Sequence, residues 1–352
     1  MSTATIGAQR DHAVDAVRVW AMTGVVLGHW LVTGFVAGAD GLRVASPLSH
    51  MPWFAPLSWV LQTLGLFFFA GGFAAAKTNR PLPGRVVWLP LALVAGWALV
   101  LTAGAAAGVA GGTLRTVAVL VASPLWFLLP YFVLRAARDP LRRLVARFGP
   151  GVALPPVVVV AVTDHPGSVI AAWAVPWLLG TAVALGRFGT RRQAVVLAAA
   201  GIGALLLLVT VGGHPVSAVG VPGAGRSNLS PPSLVAVALA AAQIGVFLLL
   251  RPRLGRAGRW VSTLNRSALP IFLGHQSVLL AVVLAASALG SEIPGLIDAP
   301  DGPGWILARL TWIPLLAATL AALVIPRKTR PRTHPKSHPE TRSESRPETQ
   351  SR

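Results

Sequence analysis

Cysteine is absent from all 352 residues, which excludes disulfides, thiolate metal sites and cysteine nucleophiles. Charge is scarce, at 12% of residues, and acidic charge scarcer still, with 11 Asp and Glu against 30 Lys and Arg. Beside a 54% hydrophobic content and a mean hydropathy of +0.67, that scarcity excludes an ordinary soluble globular domain and makes the bilayer the main solvent. Also missing are a glycine-rich nucleotide loop, a His-Glu-x-x-His zinc pattern and any plausible cluster of metal ligands, so no metal is expected. Lysine is nearly absent: Arg outnumbers it 27 to 3 amid abundant Ala, Gly, Val and Pro, the usage of a high-GC bacterial genome. A net charge of +19 would point to nucleic acid in a soluble chain, so the placement of the charges decides what they mean.

What is present is a succession of apolar runs, most of them near the roughly 20 residues that cross about 30 Å of hydrocarbon. Ten spans are predicted, at 14–38, 53–76, 86–110, 116–135, 151–163, 168–186, 193–211, 232–250, 267–290 and 304–326. The fifth is short and holds Pro155 and Pro156, which leaves open a broken or re-entrant segment. The first follows a polar stretch, as a secretory signal would. It is long enough to span and no small-residue cleavage site ends it, so it reads as an uncleaved helix. With both termini in the cytoplasm, 26 of the 30 basic residues fall inside, leaving Arg43, Arg115, Arg226 and Arg309 outside. Removing the fifth span would carry the Arg cluster at 251–266 outside, so ten spans are kept. The basic charge is then topological and faces membrane lipid, and no nucleic acid is needed to explain it.

The predicted fold class is all-α: a polytopic membrane protein of about ten transmembrane helices over 1–326, in the bacterial cytoplasmic membrane. Residues 327–352 are rich in Pro, Ser, Thr, Glu and Arg, carry a net charge of +5 and repeat Pro-Glu-Thr. They hold too little apolar surface to fold and are predicted to form a disordered basic cytoplasmic tail, which includes His334 and His338.

Few residues at membrane depth carry chemistry. Arg18 and His29 are eleven residues apart, and eleven steps of about 100° return to within about 20° of the start, so they share a face with about 16 Å of rise between them. Asp11 and Asp15 fall on the same stripe, and either is a possible partner for Arg18. Buried Arg or Asp costs about 2.5 to 3.5 kcal/mol on insertion scales, so such groups face a cavity or a partner. Arg18 has the alternative of anchoring the helix end at the interface, whereas His29 lies around or beyond the bilayer middle. Imidazole titrates near pH ~6.5, which suits it to take and return a proton.

The second span ends Phe-Phe-Phe-Ala-Gly-Gly-Phe at 67–73, and its glycine pair admits close approach of a helix or a ligand. Lys77 and Arg80 follow one turn apart at the cytoplasmic mouth, where two cations either hold phosphates or anchor the helix. The ninth span carries Ser267 and His275 on either side of Pro270, which frees a backbone carbonyl. That segment either lines the same cavity or makes helix-helix hydrogen bonds. Trp126 and Phe127 form a cavity wall or an interfacial aromatic belt. Asn228, in the polar loop at 226–232, contacts an acceptor or belongs to a simple turn.

Taken together and in order, these elements resemble the acyltransferase 3 family of membrane acyltransferases. The run Arg10-Asp11-His12-Ala13-Val14-Asp15-Ala16-Val17-Arg18 through His29 is similar to the family's opening, a basic residue followed by ten others and a His. Residues 67–73 resemble its Phe-rich segment ending Ser-Gly-Phe, with Lys77 and Arg80 at its basic residues. Pro124-Leu125-Trp126-Phe127-Leu128 resembles its Trp-Phe-Leu element, and Asn265 through His275 its late Ser and Tyr-Leu-x-His element. The chain departs from the pattern at Gly71 for Ser, Phe272 for Tyr and Lys77 for Arg. The resemblance, which runs from residue 10 to about 325, implies an O-acyltransferase. It would move an acyl group, usually acetyl from acetyl-CoA, to a hydroxyl of a carbohydrate, glycolipid or natural product. It implies that Lys77 and Arg80, with Arg18, hold the CoA phosphates. His29 would deprotonate the acceptor or transiently take the acyl group, with Trp126, Ser267, His275 and Asn228 about the substrate. The residues alone also accommodate a transporter or flippase in which Arg and His relay protons or bind an anion, although no inverted repeat is visible.

Overall fold

The computed structural model describes residues 11–78, 81–163, 168–254, 258–290 and 292–325; the tail predicted at 327–352 lies outside them. Ten helices among the described residues correspond to the ten predicted spans. They are α1 His12–Val32, α2 Pro52–Ala76, α3 Arg85–Ala106, α4 Gly111–Ala136 and α5 Arg138–Val162, then α6 Ser168–Ala184, α7 Arg191–Thr210, α8 Leu234–Arg253, α9 Ala268–Ala288 and α10 Pro303–Val324. All but α1 and α6 are long and apolar enough to cross a membrane. α1 has 21 residues and a rise of about 32 Å, its apolarity diluted by its own polar groups; α6 has 17 and rises about 26 Å. The chain is an all-α multi-pass membrane protein.

Three spans are interrupted, and the interruptions matter for the site. α2 leaves the helix at Gln62 and Thr63, which is tolerated at membrane depth only where freed backbone groups find partners. The Gln243 carboxamide donates to the Trp59 and Gln62 carbonyls at 3.2 and 3.0 Å, and the Thr63 hydroxyl donates to the Ala21 carbonyl at 2.6 Å. α4 tightens into a 3-10 turn at Ser123–Leu125 and re-forms as a helix at Leu128. α5 turns at Gly149, where φ is +69°, separating a basic amphipathic half, Arg138–Phe148, from an apolar half that ends at Val162. Pro155 and Pro156 sit in the first turn of Leu154–Val162, where a proline replaces an N–H that has no helical partner, so they start this helix and do not break it.

The first predicted span, 14–38, ends early. α1 stops at Val32, and the chain turns extended at Thr33 into an antiparallel hairpin of β1 Gly34–Gly38 and β2 Gly41–Ala45. Gly41, at φ +100°, closes its two-residue turn. Tertiary contacts hold the hairpin: the Leu42 N–H donates to Thr113 Oγ1 at 2.9 Å, Thr116 Oγ1 donates to the Leu42 carbonyl at 2.8 Å, and Phe35 bridges to Ile297.

Hydrogen bonds sort the loops into two ends. At one, Arg251 pairs with Asp11 at 2.6 Å, Asn265 Nδ2 donates to the Asp15 carbonyl at 3.0 Å, and Arg138 Nη1 donates to the Thr78 carbonyl at 3.2 Å. At the other, Trp59 Nε1 donates to the Val216 carbonyl at 2.8 Å, and the Ala218 N–H to Ser58 Oγ at 2.9 Å. Arg309 is fully buried at this end; its Nη2 donates to the Thr33 carbonyl, and its guanidinium lies 4.9 Å over the Trp305 ring.

The closest backbone approach at a glycine joins α2 to α6. A Cβ on Gly72 would lie 2.0 Å from the Trp177 carbonyl oxygen, and one on Gly180 would lie 2.0 Å from that of Phe69. Only glycine permits this approach, so the glycine pair at 71–72 seats a helix.

Candidate active site

α1 runs through the bundle between α2 and α9, which gives its polar face partners from both. Near one end, Arg18 is partly buried and its Nη2 donates to the Ala70 carbonyl of α2 at 3.4 Å. That places the guanidinium against α2, unlike a side chain that only anchors a helix end. Asp11, one of its two predicted partners, is instead the N-cap of α1, accepting from the Ala13 and Val14 amides and pairing with Arg251. Burial alone would raise the Asp11 carboxyl. Its bonds to Arg251 and to the Val14 and Ala13 amides outweigh that and hold it below the usual carboxylate range.

Deeper along α1, His29 meets α9. Its ring centroid is 5.1 Å from that of His275, the planes tilted by 53°, and the Gln276 carboxamide nitrogen is 3.1 Å from His29 Nδ1. The next residue of α1, Trp30, donates from Nε1 to the His275 carbonyl at 3.1 Å. His275 is fully buried, with Nδ1 2.5 Å from the Phe272 carbonyl, a contact in which only Nδ1–H can donate. Its Nε2 is then an acceptor, and it has no hydrogen-bond partner among the described residues. Two imidazoles therefore share one site inside the bundle, His275 fully buried and His29 on a residue of intermediate exposure.

Aromatic side chains continue the site towards Arg18. The Phe272 ring is 5.6 Å from His275 and 4.2 Å from Phe127, Phe127 is 5.7 Å from Phe67, and Phe67 is 6.0 Å from Tyr131. Phe67 and Tyr131, like Arg18 and His29, keep accessible surface among buried neighbours. Where α2 ends, Lys77 is exposed with Nζ 4.9 Å over the Phe73 ring, and Arg251 lies 5.8 Å from the same ring. Lys77 and Arg251 therefore both lie against the Phe73 ring at this end of the bundle.

The remaining predicted residues distribute unevenly. Arg80 lies outside the described residues. Trp126 is 39% exposed and tilts on Trp173 at 6.2 Å; its neighbour Phe127, 3% exposed, is the one in the site wall. Ser267 is buried as the N-cap of α9, about 12 Å of rise from His275. Asn228 anchors its own loop: it is fully buried, Nδ2 donates to the Pro215 and Ser217 carbonyls at 2.8 Å each, and Oδ1 contacts His214 Nδ1 at 3.0 Å. Its amide is committed within that loop.

Four residues of the site were not singled out from sequence: Gln276, Trp30, Tyr131 and Arg251. Gln276 carried a usable signal, a polar side chain at membrane depth beside a histidine. Arg251 was hidden among the Arg cluster at 251–266, and Trp30 resembles any buried tryptophan.

A family model described as an acyltransferase domain matches residues 11–326. The chain belongs to the acyltransferase 3 family. No curated protein and no solved structure matches it. Membership makes this acyltransferase a membrane enzyme, and the match begins at the Asp11 cap of α1 and runs through all ten helices. A surface hollow of about 520 Å³ beside Phe188, Thr190 and Arg192 contains none of the residues just described.

Proposed function

We propose that this acyltransferase moves an acyl group, acetyl by preference, from acyl-CoA to a hydroxyl of a carbohydrate, glycolipid or natural product. The observation that carries the reading is His29, an imidazole inside the bundle 5.1 Å from that of His275 and 3.1 Å from the Gln276 carboxamide, with Arg18 on the same helix and Lys77 where α2 ends. Lys77 and Arg80, with Arg18 further in, meet the CoA phosphates, a use for cations that strong acceptors reward. His29 takes the proton of the acceptor hydroxyl as its oxygen attacks the thioester carbonyl. The C–S bond then breaks, and the CoA sulfur leaves with the proton returned by the imidazolium.

In this reading the end that carries Asp11, Lys77, Arg138 and Arg251 faces the cytoplasm of a bacterial cell, where acyl-CoA is supplied and where basic loops belong. Both termini share that side. Single cysteines in the cysteine-free chain test it: Ala224→Cys, in an exposed loop, labels from outside intact cells, and Arg253→Cys, exposed at the other end, labels only after permeabilisation. The reverse pattern overturns the orientation.

The function itself is tested by incubating purified protein with acetyl-CoA and a panel of sugar and polyol acceptors and following free CoA thiol. The absence of cysteine leaves that assay without protein background. Acceptor-dependent release that disappears in His29→Ala supports the reading. Release equal in wild type and variant sinks the role of His29, and no release with solute flux in vesicles replaces the enzyme by a transporter.

A further inference from the structure

Two adjacent residues of α1 meet two adjacent residues of α9. Trp30 donates to the backbone of His275, and Gln276 reaches Nδ1 of His29. The first contact fixes how the helices are registered; the second touches the ring proposed to do chemistry. Gln276 is 1% exposed, and the other atom of its carboxamide, Oε1, has no hydrogen-bond partner among the described residues. A buried carboxamide spent on a single partner is costly unless that contact matters.

A neutral imidazole carries one N–H, and the bond made by one nitrogen decides which. A carboxamide presents either its NH2 or its oxygen to the same neighbour through a half turn of its terminal group. With NH2 towards His29, as the carboxamide stands in this structure, Nδ1 accepts, the ring Nε2 bears the hydrogen, and it has no lone pair for a hydroxyl proton. With the oxygen towards His29, Nδ1–H donates and Nε2 is free to act as base. Only the second state performs the chemistry.

We propose that Gln276 is a positioning residue for acyl transfer, its carboxamide oxygen accepting Nδ1–H of His29 so that Nε2 faces the acceptor hydroxyl. This rests on His29 acting as the base. Replacement of Gln276 by Leu removes the acceptor and frees the ring to rotate or change tautomer. Replacement by Glu keeps an acceptor and adds a charge that favours the imidazolium, so the acid limb of the rate profile moves to higher pH.

The test is magic-angle-spinning NMR of the full-length chain in lipid, with ¹⁵N-labelled imidazoles and the His29 signals assigned by their loss in His29→Asn. Rates of thiol release from acetyl-CoA are measured in parallel. The wild type is expected to show His29 protonated at Nδ1, Gln276→Glu to retain that state with its acid limb moved to higher pH, and Gln276→Leu to mix tautomers. In Gln276→Leu, kcat is expected to fall by at least about tenfold with KM for acetyl-CoA unchanged. A wild-type ring protonated at Nε2, or a Leu variant with the wild-type tautomer and pH profile, overturns the proposal. Should Gln276→Leu fail to fold, Gln276→Glu decides alone, and an unmoved profile overturns it. Should no acceptor support release in the wild type, acyl transfer fails as the function, while the tautomer still reports on Gln276.

Discussion

Helices α2 and α3 follow one another in sequence and are both apolar, yet 67% of the most apolar stretch of α2 is buried and none of that of α3 is. α3 is the more apolar of the two. Apolarity therefore separates membrane from water and says nothing about which helix is central, because lipid tails are as apolar as leucine. What draws α2 inward is small and polar: Gly72 against Trp177, Gly65 against Ala240, and Thr63 donating to Ala21. α3 is tied to α9 by Trp97 Nε1, which donates to Ser277 Oγ at 2.9 Å, and its Gly96 has open space around it.

The comparison can be broken most sharply at the chemistry its inner side supports. His29→Ala is expected to lower acceptor-dependent thiol release by about 10²- to 10⁴-fold, the usual worth of a general base, with an unchanged gel-filtration profile. Next comes packing. Gly72→Leu forces atoms into the Trp177 backbone and is expected to lose at least about 1 to 3 kcal/mol, whereas Gly96→Leu is expected to be neutral; thermal unfolding in detergent reads both. A loss of stability in the α3 variant equal to that in α2 would erase the distinction.

A smaller effect is expected at the end of the bundle. Asp11→Ala removes an N-cap and is expected to cost about 0.5 to 2 kcal/mol. Because the folded carboxyl sits below its ordinary value, its contribution is present above about pH 4 and is lost as pH falls through the folded value, so wild type and variant converge in acid. Smallest of all, Trp97→Phe removes the tie of α3 and is expected to cost about 0.6 kcal/mol, the average for such bonds in membranes.

These contrasts also mark what was legible beforehand. Apolar runs located ten helices, because length answers to the bilayer alone, but the basic half of α5, Arg138–Phe148, read as a loop. The shared face of Arg18 and His29 followed from helical period, and His275 from its depth. The hairpin at 34–45 was not legible: its strands are short and rich in glycine, and Thr113, Thr116 and Ile297 hold them from far along the chain. Arg309 looked like a basic residue on the wrong side of the membrane; it is buried and bonded to the Thr33 carbonyl, a contact no local pattern announces. Gln276 faced His29 for the same kind of reason, since only the packing of α9 on α1 says which side chain meets the ring.

The bond from Arg309 to Thr33 joins the last helix to the end of the first, and Gln276 and Trp30 join the ninth to it. During synthesis α1 is therefore made well before the helices that complete its contacts. At about 5 to 20 residues per second, the roughly 250 residues that separate His29 from Gln276 take on the order of 10 to 50 seconds to appear. Throughout that interval α1 carries Arg18 and His29 without the α9 contacts it will finally have. Chains arrested before α9 emerges would leave His29 and Trp30 without the partners they have in the finished bundle.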